Sequence, residues 1–313
     1  MAGLRAVFWK ELADHFSSWR FVILFGVMFV AGVWGTYVAG DVIRSELAKD
    51  PTEFVFLRLF TVHREGMWSF IQFLGFFGPL IGLIMGFDAI NSERSSGTLS
   101  RILSQPLFRD SVINGKFLAG VFTITIMLGG IITLMAGMGL RMIGIPPSME
   151  EFWRIGAFFA LGVIYLSFWL GLGMLLSILF RRAATSALAA IALWLFFAIF
   201  IIMIADAVAD YRVPVDSESD TATQIRNIET EQMVMRVSPR YLFDEATGAL
   251  LSPTVKSLAP LSQAQVERLL PSPLPFGQSL VLVWPHLTAL MALTVVCFAI
   301  SYVSFMRQEI RST

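Results

Sequence analysis

Charge is what this sequence has least of for its length. Of 313 residues only 15% are charged, and positive and negative side chains cancel to zero. A neutral balance lacks the electrostatic footprint of a nucleic-acid binder and gives no reason to expect an acidic ligand. Cysteine is nearly absent: Cys297 stands alone in an apolar run, so no internal disulfide can form. The histidines His15, His63 and His286 are too scattered along the chain for a zinc site or paired haem ligation. No G-x-x-x-x-G-K-[ST] stretch is present to cradle phosphates, since Gly115-Lys116 runs on into Phe117 with no matching glycine ahead of it. A Ser/His/Asp set or a carboxylate pair within an apolar segment is also missing, which disfavours an intramembrane enzyme. The expectation is a non-enzyme with no metal and no cofactor of its own.

Apolar residues are abundant instead. They make up 56% of the chain, and the mean hydropathy of +0.71 is far above that of a soluble domain. A helix needs roughly 20 apolar residues to cross a hydrocarbon core of about 30 Å. Six segments qualify, at 20–40, 68–87, 116–140, 154–180, 183–205 and 281–306. The fourth and fifth are separated only by Arg181 and Arg182, which predicts a tight hairpin at a membrane surface. The fold class expected is an all-α integral membrane protein with six spans.

The spans hold almost no ionisable side chains near their centres. Asp88, Arg141, Asp206 and Asp210 all fall near span ends. A proton- or sodium-coupled carrier normally carries such groups at mid-membrane, so energy from a partner is the better expectation. Lys and Arg are somewhat commoner in the segments that share a side with the N-terminus, while the short loops opposite are richer in acid. The positive-inside bias then places both termini in the cytoplasm.

Residues 1–19 read as an amphipathic helix with Leu4, Phe8, Leu12, His15, Phe16 and Trp19 on one face and Lys10, Glu11, Asp14, Ser17 and Ser18 opposite. Val7 and Arg5 break the pattern. Charged residues recurring through Arg20 do not suit a signal peptide. The helix is expected to lie in the inner membrane interface, the alternative being a soluble helix packed on a partner. Seven of the 13 prolines fall in 207–280, a stretch expected to form a small helical extracytoplasmic insert. In it, Ser238-Pro239 reads as a helix start, followed by a face of Leu242, Ala246, Ala249 and Leu250. The insert is expected to pack on the outer ends of the spans or on a second copy of the chain. Residues 281–313 supply the sixth span and a cytoplasmic tail.

Two constellations stand out. Gly78, Gly82 and Gly86 recur every four residues on one face of the second span, a spacing that lets helix backbones approach closely. They mark either static packing or a moving contact, with Pro79 as a kink point. The other is the polar turn 88–115 between spans two and three. Within it Gly97 and Thr98 lead into an apolar stripe of Leu99, Ile102 and Leu103, and Gln105-Pro106 ends that short helix. Such a stripe must dock on protein or on the membrane face, while a plainer reading has the basic residues facing lipid headgroups.

The order Glu93-x-x-Ser96-Gly97-Thr98-Leu99, then Pro106, Arg109 and Gly115-Lys116, resembles the turn of ABC-2 type transporter permeases. There E-x-x-x-G-T-L is followed by a Pro, an Arg and a Gly-Lys opening the third span. The ending Phe305-Met-Arg-Gln-Glu-Ile-Arg311 resembles the NosY-like branch of that family. The resemblance covers 1–206 and 281–313. It implies the membrane half of a transporter in a prokaryotic inner membrane, a homodimer with two copies of a separate ATPase subunit that binds the ATP. Glu93, Gly97, Thr98, Leu99, Pro106 and Arg109 would form the element that couples to the ATPase. The substrate would be exported or flipped outward. The alternative is mechanical transmission through 207–280 to an extracytoplasmic protein without moving a solute.

Overall fold

The computed structural model describes residues 2–47, 54–62, 66–98, 108–216, 219–260 and 272–308. Among these every regular element is a helix. A first helix, α1 (Ala2–Ser17), leads at once into α2 (Trp19–Leu47), and a short α3 (Arg58–Thr61) precedes α4 (Phe70–Gly86). After α5 (Asn91–Ser95) come the long α6 (Arg109–Ile143) and α7 (Met149–Leu179). The fifth span is α8 (Ala183–Leu195), a π turn at Phe196–Phe200, and α9 (Ile201–Arg212). Then follow α10 (Thr221–Met235), α11 (Pro239–Leu251) and α12 (Phe276–Arg307). Six helical runs, beginning at Trp19, Phe70, Arg109, Met149, Ala183 and Phe276, are long and apolar enough to cross a membrane among the described residues. The protein is an all-α integral membrane protein.

Local chemistry sets the helix ends. Ser69 and Gln72 form a capping box at the start of α4, and Ser148 and Glu151 do the same for α7. Gly144, at φ +77°, takes the left-handed cap of α6. Arg181 and Arg182 fall in the break between α7 and α8, where the expected hairpin lies.

The helix α7 is the centre of the bundle, packing on α4, α6, α11 and α12. Its contact with α4 is backbone against backbone. A Cβ on Gly82 would stand 2.5 Å from the carbonyl oxygen of Leu166 and 2.7 Å from the nitrogen of Leu170. One on Gly86 would stand 2.6 Å from the carbonyl oxygen of Leu170, while one on Gly78 would meet only leucine side chains, Leu166 Cδ2 at 2.9 Å and Leu74 Cδ1 at 3.3 Å. All three glycines therefore face α7 of the same chain. By contrast α2, α8, α9 and α12 leave wide apolar faces uncovered.

The helix α11 does not sit on top of the bundle. It wedges among α4, α7 and α12, burying Leu242, Phe243, Ala246, Ala249 and Leu250. Phe243 stacks on Tyr165 in the body of α7, with ring centroids 4.3 Å apart. Ser238 stands at its N-cap position but makes no capping bond; its hydroxyl donates instead to the carbonyl of Phe197 at 3.0 Å. Arg154, the first residue of the fourth apolar segment, is completely buried. It donates to the carbonyls of Leu250 (2.8 Å) and Leu274 (2.5 Å), to Ser279 Oγ (3.1 Å) and to Glu150 (2.9 Å).

Candidate functional site: the polar turn after the second span

At Phe87 the chain leaves α4 and turns through Asp88–Ile90 into α5. Three hydrogen bonds fasten this turn to the α7–α8 hairpin. Ser177 Oγ accepts the N–H groups of Ile90 and Asn91 at 2.9 and 3.0 Å, and Ser186 Oγ donates to the carbonyl of Phe87 at 2.7 Å. Asn91 is buried, and its side-chain amide returns to the Phe87 carbonyl at 3.2 Å. The short helix then ends at Gly97, whose φ of +69° is a left-handed conformation costly to any residue with a Cβ. Space is not the constraint there, because a Cβ on Gly97 would meet nothing within 4 Å. Thr98 Oγ1 donates back to the carbonyl of Glu93 at 3.2 Å. Ser95, Ser96, Gly97 and Thr98 are exposed. Leu99 and Pro106, with the stripe between them, lie outside the described residues.

Glu93 points inward. Its Oε1 pairs with Lys116 Nζ of α6 at 2.8 Å and lies 3.7 Å from Lys10 Nζ of α1. Lys116, only 6% exposed, also pairs with Glu11 at 2.9 Å. Lys10 completes the set with Glu11 at 2.9 Å and Asp14 at 3.1 Å. One lysine at the start of α6 therefore holds both the turn and the first helix. Removing it would leave both carboxylates sharing the half-exposed Lys10, at a cost below the ~3–5 kcal/mol of an uncompensated buried charge. Nearby, Arg20 meets Asp88 at 2.5 Å and lies 5.6 Å over the Phe87 ring. These side chains line a cavity of about 260 Å³ between α1, α2, α4 and α6.

The charges in this network tune one another. Burial alone would raise the Glu11 carboxyl, but Lys116 and Lys10 hold it below the usual carboxylate range. Burial would lower Lys10, and Glu11, Asp14 and Glu93 outweigh it, so its ammonium is held above the ordinary lysine value. Burial lowers His15, against the pull of Glu11.

Arg109, at the start of α6, donates to the carbonyl of Gln308 at 3.1 Å. The Gln308 side chain bonds Arg94 and donates to the carbonyl of Ile178 at 2.8 Å. The turn, α1, the α7–α8 hairpin and the end of α12 thus form one bonded assembly at one end of the bundle. Sequence reasoning placed Glu93, Gly97, Thr98 and Arg109 in this turn. It put Glu11 on the outward polar face of α1 and treated Val7 as a break; the structure buries both. Val7 packs on Gly115, and Glu11 finds Lys116, a partner 105 residues away that helical periodicity cannot reveal. Gln308 enters the sequence reading only within the stretch Phe305–Arg311, where nothing local foretells its bonds to Arg94 and Ile178.

Residues 5–310 match the family described as ABC-2 family transporter protein. The chain is 28% identical over 201 residues to a probable ABC transporter permease protein NosY of Pseudomonas aeruginosa, covering 60% of this chain and 64% of that protein. It is 27% identical over 164 residues to the protein of the same name from Stutzerimonas stutzeri, covering 51% and 55%. The aligned part thus spans less than two thirds of either relative. With a family match that runs almost from end to end of six apolar helices and the polar turn between the second and third, the chain belongs to the ABC-2 family of transporter proteins.

Proposed function

We propose that this protein is the transmembrane permease subunit of an ABC transporter, driven through the turn 88–115 by a separate ATPase subunit. The observation that carries the reading is the bonding of that turn. A segment that must receive force needs a stiff base and an accessible contact face. Here Glu93, Asn91 and Arg109 tie the base to α1, α6, α7 and α12, while Ser95–Thr98 remain exposed. By this reading Glu93 and Arg109 brace the element from behind, and Gly97, Thr98, Leu99 and Pro106 shape the part that meets the ATPase. Two ATPase copies would bind a permease homodimer in a prokaryotic inner membrane, with the turn and both termini in the cytoplasm. The ATPase would hold the ATP, and this chain would need no cofactor. The direction we favour is outward, as export or flipping of a substrate.

A second reading, force passed to an extracytoplasmic protein without solute movement, draws on Arg154. That residue bonds the outer helices directly to α7 and α12, so movement of the spans would carry the 207–280 segment with it.

The test uses the permease reconstituted with its ATPase. Glu93→Ala and Gly97→Val are each expected to abolish permease-stimulated ATP hydrolysis while leaving membrane insertion intact. Stimulation at the wild-type level in both variants would count against the assignment.

A further inference from the structure

Three of the six spans are interrupted, and all three interruptions meet at α11. In α4, Pro79 has no N–H, so the carbonyl of Gly75 four residues earlier loses its helical donor. The hydroxyl of Tyr165 donates to that carbonyl at 2.7 Å. In the fifth span, the π turn at Phe196–Phe200 presents the carbonyls of Phe197 and Ala198 sideways. They accept from Ser238 Oγ at 3.0 Å and Arg240 Nη1 at 2.7 Å. In α12, Pro285 removes another helical donor, and the adjacent His286 Nε2 pairs with Glu245 at 2.5 Å.

Arg240 joins two of these breaks. Its guanidinium lies 5.0 Å over the ring of Phe76 in α4 while it bonds Ala198 in the fifth span. Asp244 stands 3.4 Å from Arg240 Nε and rests against Gly75, where any Cβ would collide with its carboxylate. Several buried polar atoms here have no hydrogen-bond partner: Arg240 Nε, Asp244 Oδ1 and His286 Nδ1. Helices bend at prolines and π turns, and π turns cluster at functional positions.

We propose that α11 is a latch holding the broken second, fifth and sixth spans in register, with Arg240 as the residue that positions the second and fifth. When Arg240 parts from Ala198 and Phe76, those two spans become free to bend independently. The consequence for α4 is specific. Its stretch before Pro79 touches α11, and its stretch after Pro79 leads into the polar turn. The latch stands on this geometry alone; only its use in an ATP-driven cycle rests on the function proposed above.

Proton uptake on Asp244 favours release. The titratable groups that face it are Arg240 and Tyr241 of α11 and Tyr165 of α7, while Glu245, one residue on, is engaged by Arg236 and His286. From α4 come only Gly75 and Phe76, which do not titrate. Burial pushes the Asp244 carboxyl up to about 6, with Arg240 pulling the other way. The side chain as a whole remains 37% exposed, so a proton can reach it.

The test is amide hydrogen exchange on the full chain in lipid nanodiscs, without ATPase. In Arg240→Ala, protection at 76–80 and 198–203 is expected to fall about tenfold or more, with 124–132 of α6 unchanged. Arg240→Lys should restore part of it. The wild type should lose protection at the same two stretches between pH 7 and pH 5, after correction for the intrinsic pH dependence of exchange. Asp244→Asn, isosteric and not expected to unfold the chain, should show the low-pH value at both. A change in Asp244→Asn confined to α11, one spread evenly over all six spans, or an unaltered pH response would overturn the latch. None of these outcomes bears on whether Glu93→Ala uncouples the ATPase, so the two ideas fail separately.

Discussion

At the residue scale, glycines do two unlike jobs within a few turns of one another. Gly82 and Gly86 are required by space, because the atoms a Cβ would strike belong to the α7 backbone and cannot rotate away. Gly78 faces the end of a flexible leucine side chain. Gly82→Ala is therefore expected to destabilise the protein by about 1–3 kcal/mol, the range for overpacking, and Gly78→Ala by clearly less. Thermal unfolding in detergent would compare them, and equal costs would mean that the helices can slide apart. Gly97 is required by conformation alone, so substitution there should disturb the turn and leave the bundle intact. The four-residue spacing of Gly78, Gly82 and Gly86 was legible because it is local. The inward aim of Glu93 was not, since Lys116 and Lys10 approach it from helices distant in the chain.

At the element scale, α1 is the clearest case of a helix placed by charge as much as by apolar contact. Trp9 and Phe16 stay exposed while Val7, Glu11 and Leu12 are buried against α6. Its docking should weaken in acid in two stages. His15 has a lowered pKa, so the undocked helix binds a proton more readily, and stability is lost as pH falls below the ordinary histidine value of about 6.5. Glu11 also has a lowered pKa, so its contribution is complete above about 4.3 and is lost as pH falls through the folded value. Limited proteolysis of α1 between pH 7 and pH 3 would follow this, and a rate of cleavage independent of pH would contradict it. The spans themselves were legible because an apolar run of sufficient length has few alternatives. The break inside the fifth span was not, because nothing in Phe196–Phe200 differs in composition from its neighbours; the carbonyls exposed there are claimed by Ser238 and Arg240, some 40 residues on.

At the scale of the whole molecule, the apolar surface is unevenly covered. The helix α7 is mostly enclosed, whereas α2 presents Ile23, Val27, Val30 and Trp34 along a groove of about 850 Å³ that Trp68, Phe73 and Phe77 complete. We expect a second copy of the chain to meet this face. Cysteines introduced at Val27 and Phe73 should then give a disulfide-linked dimer in membranes, and a monomer under oxidising conditions would argue for lipid instead. The six-span plan could be read from the sequence, but the place of the 207–280 segment could not. The expectation is packing on the outer ends of the spans or on a second copy of the chain, whereas α11 packs between spans, where Phe243 stacks on Tyr165 and Arg154 bonds the Leu250 carbonyl.

The buried Arg154 also imposes an order of assembly. Its acceptors at Leu250, Leu274 and Ser279 lie 96, 120 and 125 residues further along the chain. Until they are made, the guanidinium at the start of the fourth span has only Glu150 and the ring of Phe54 as partners among the described residues. The guanidinium gains its other acceptors only when residues 250–279 have been made.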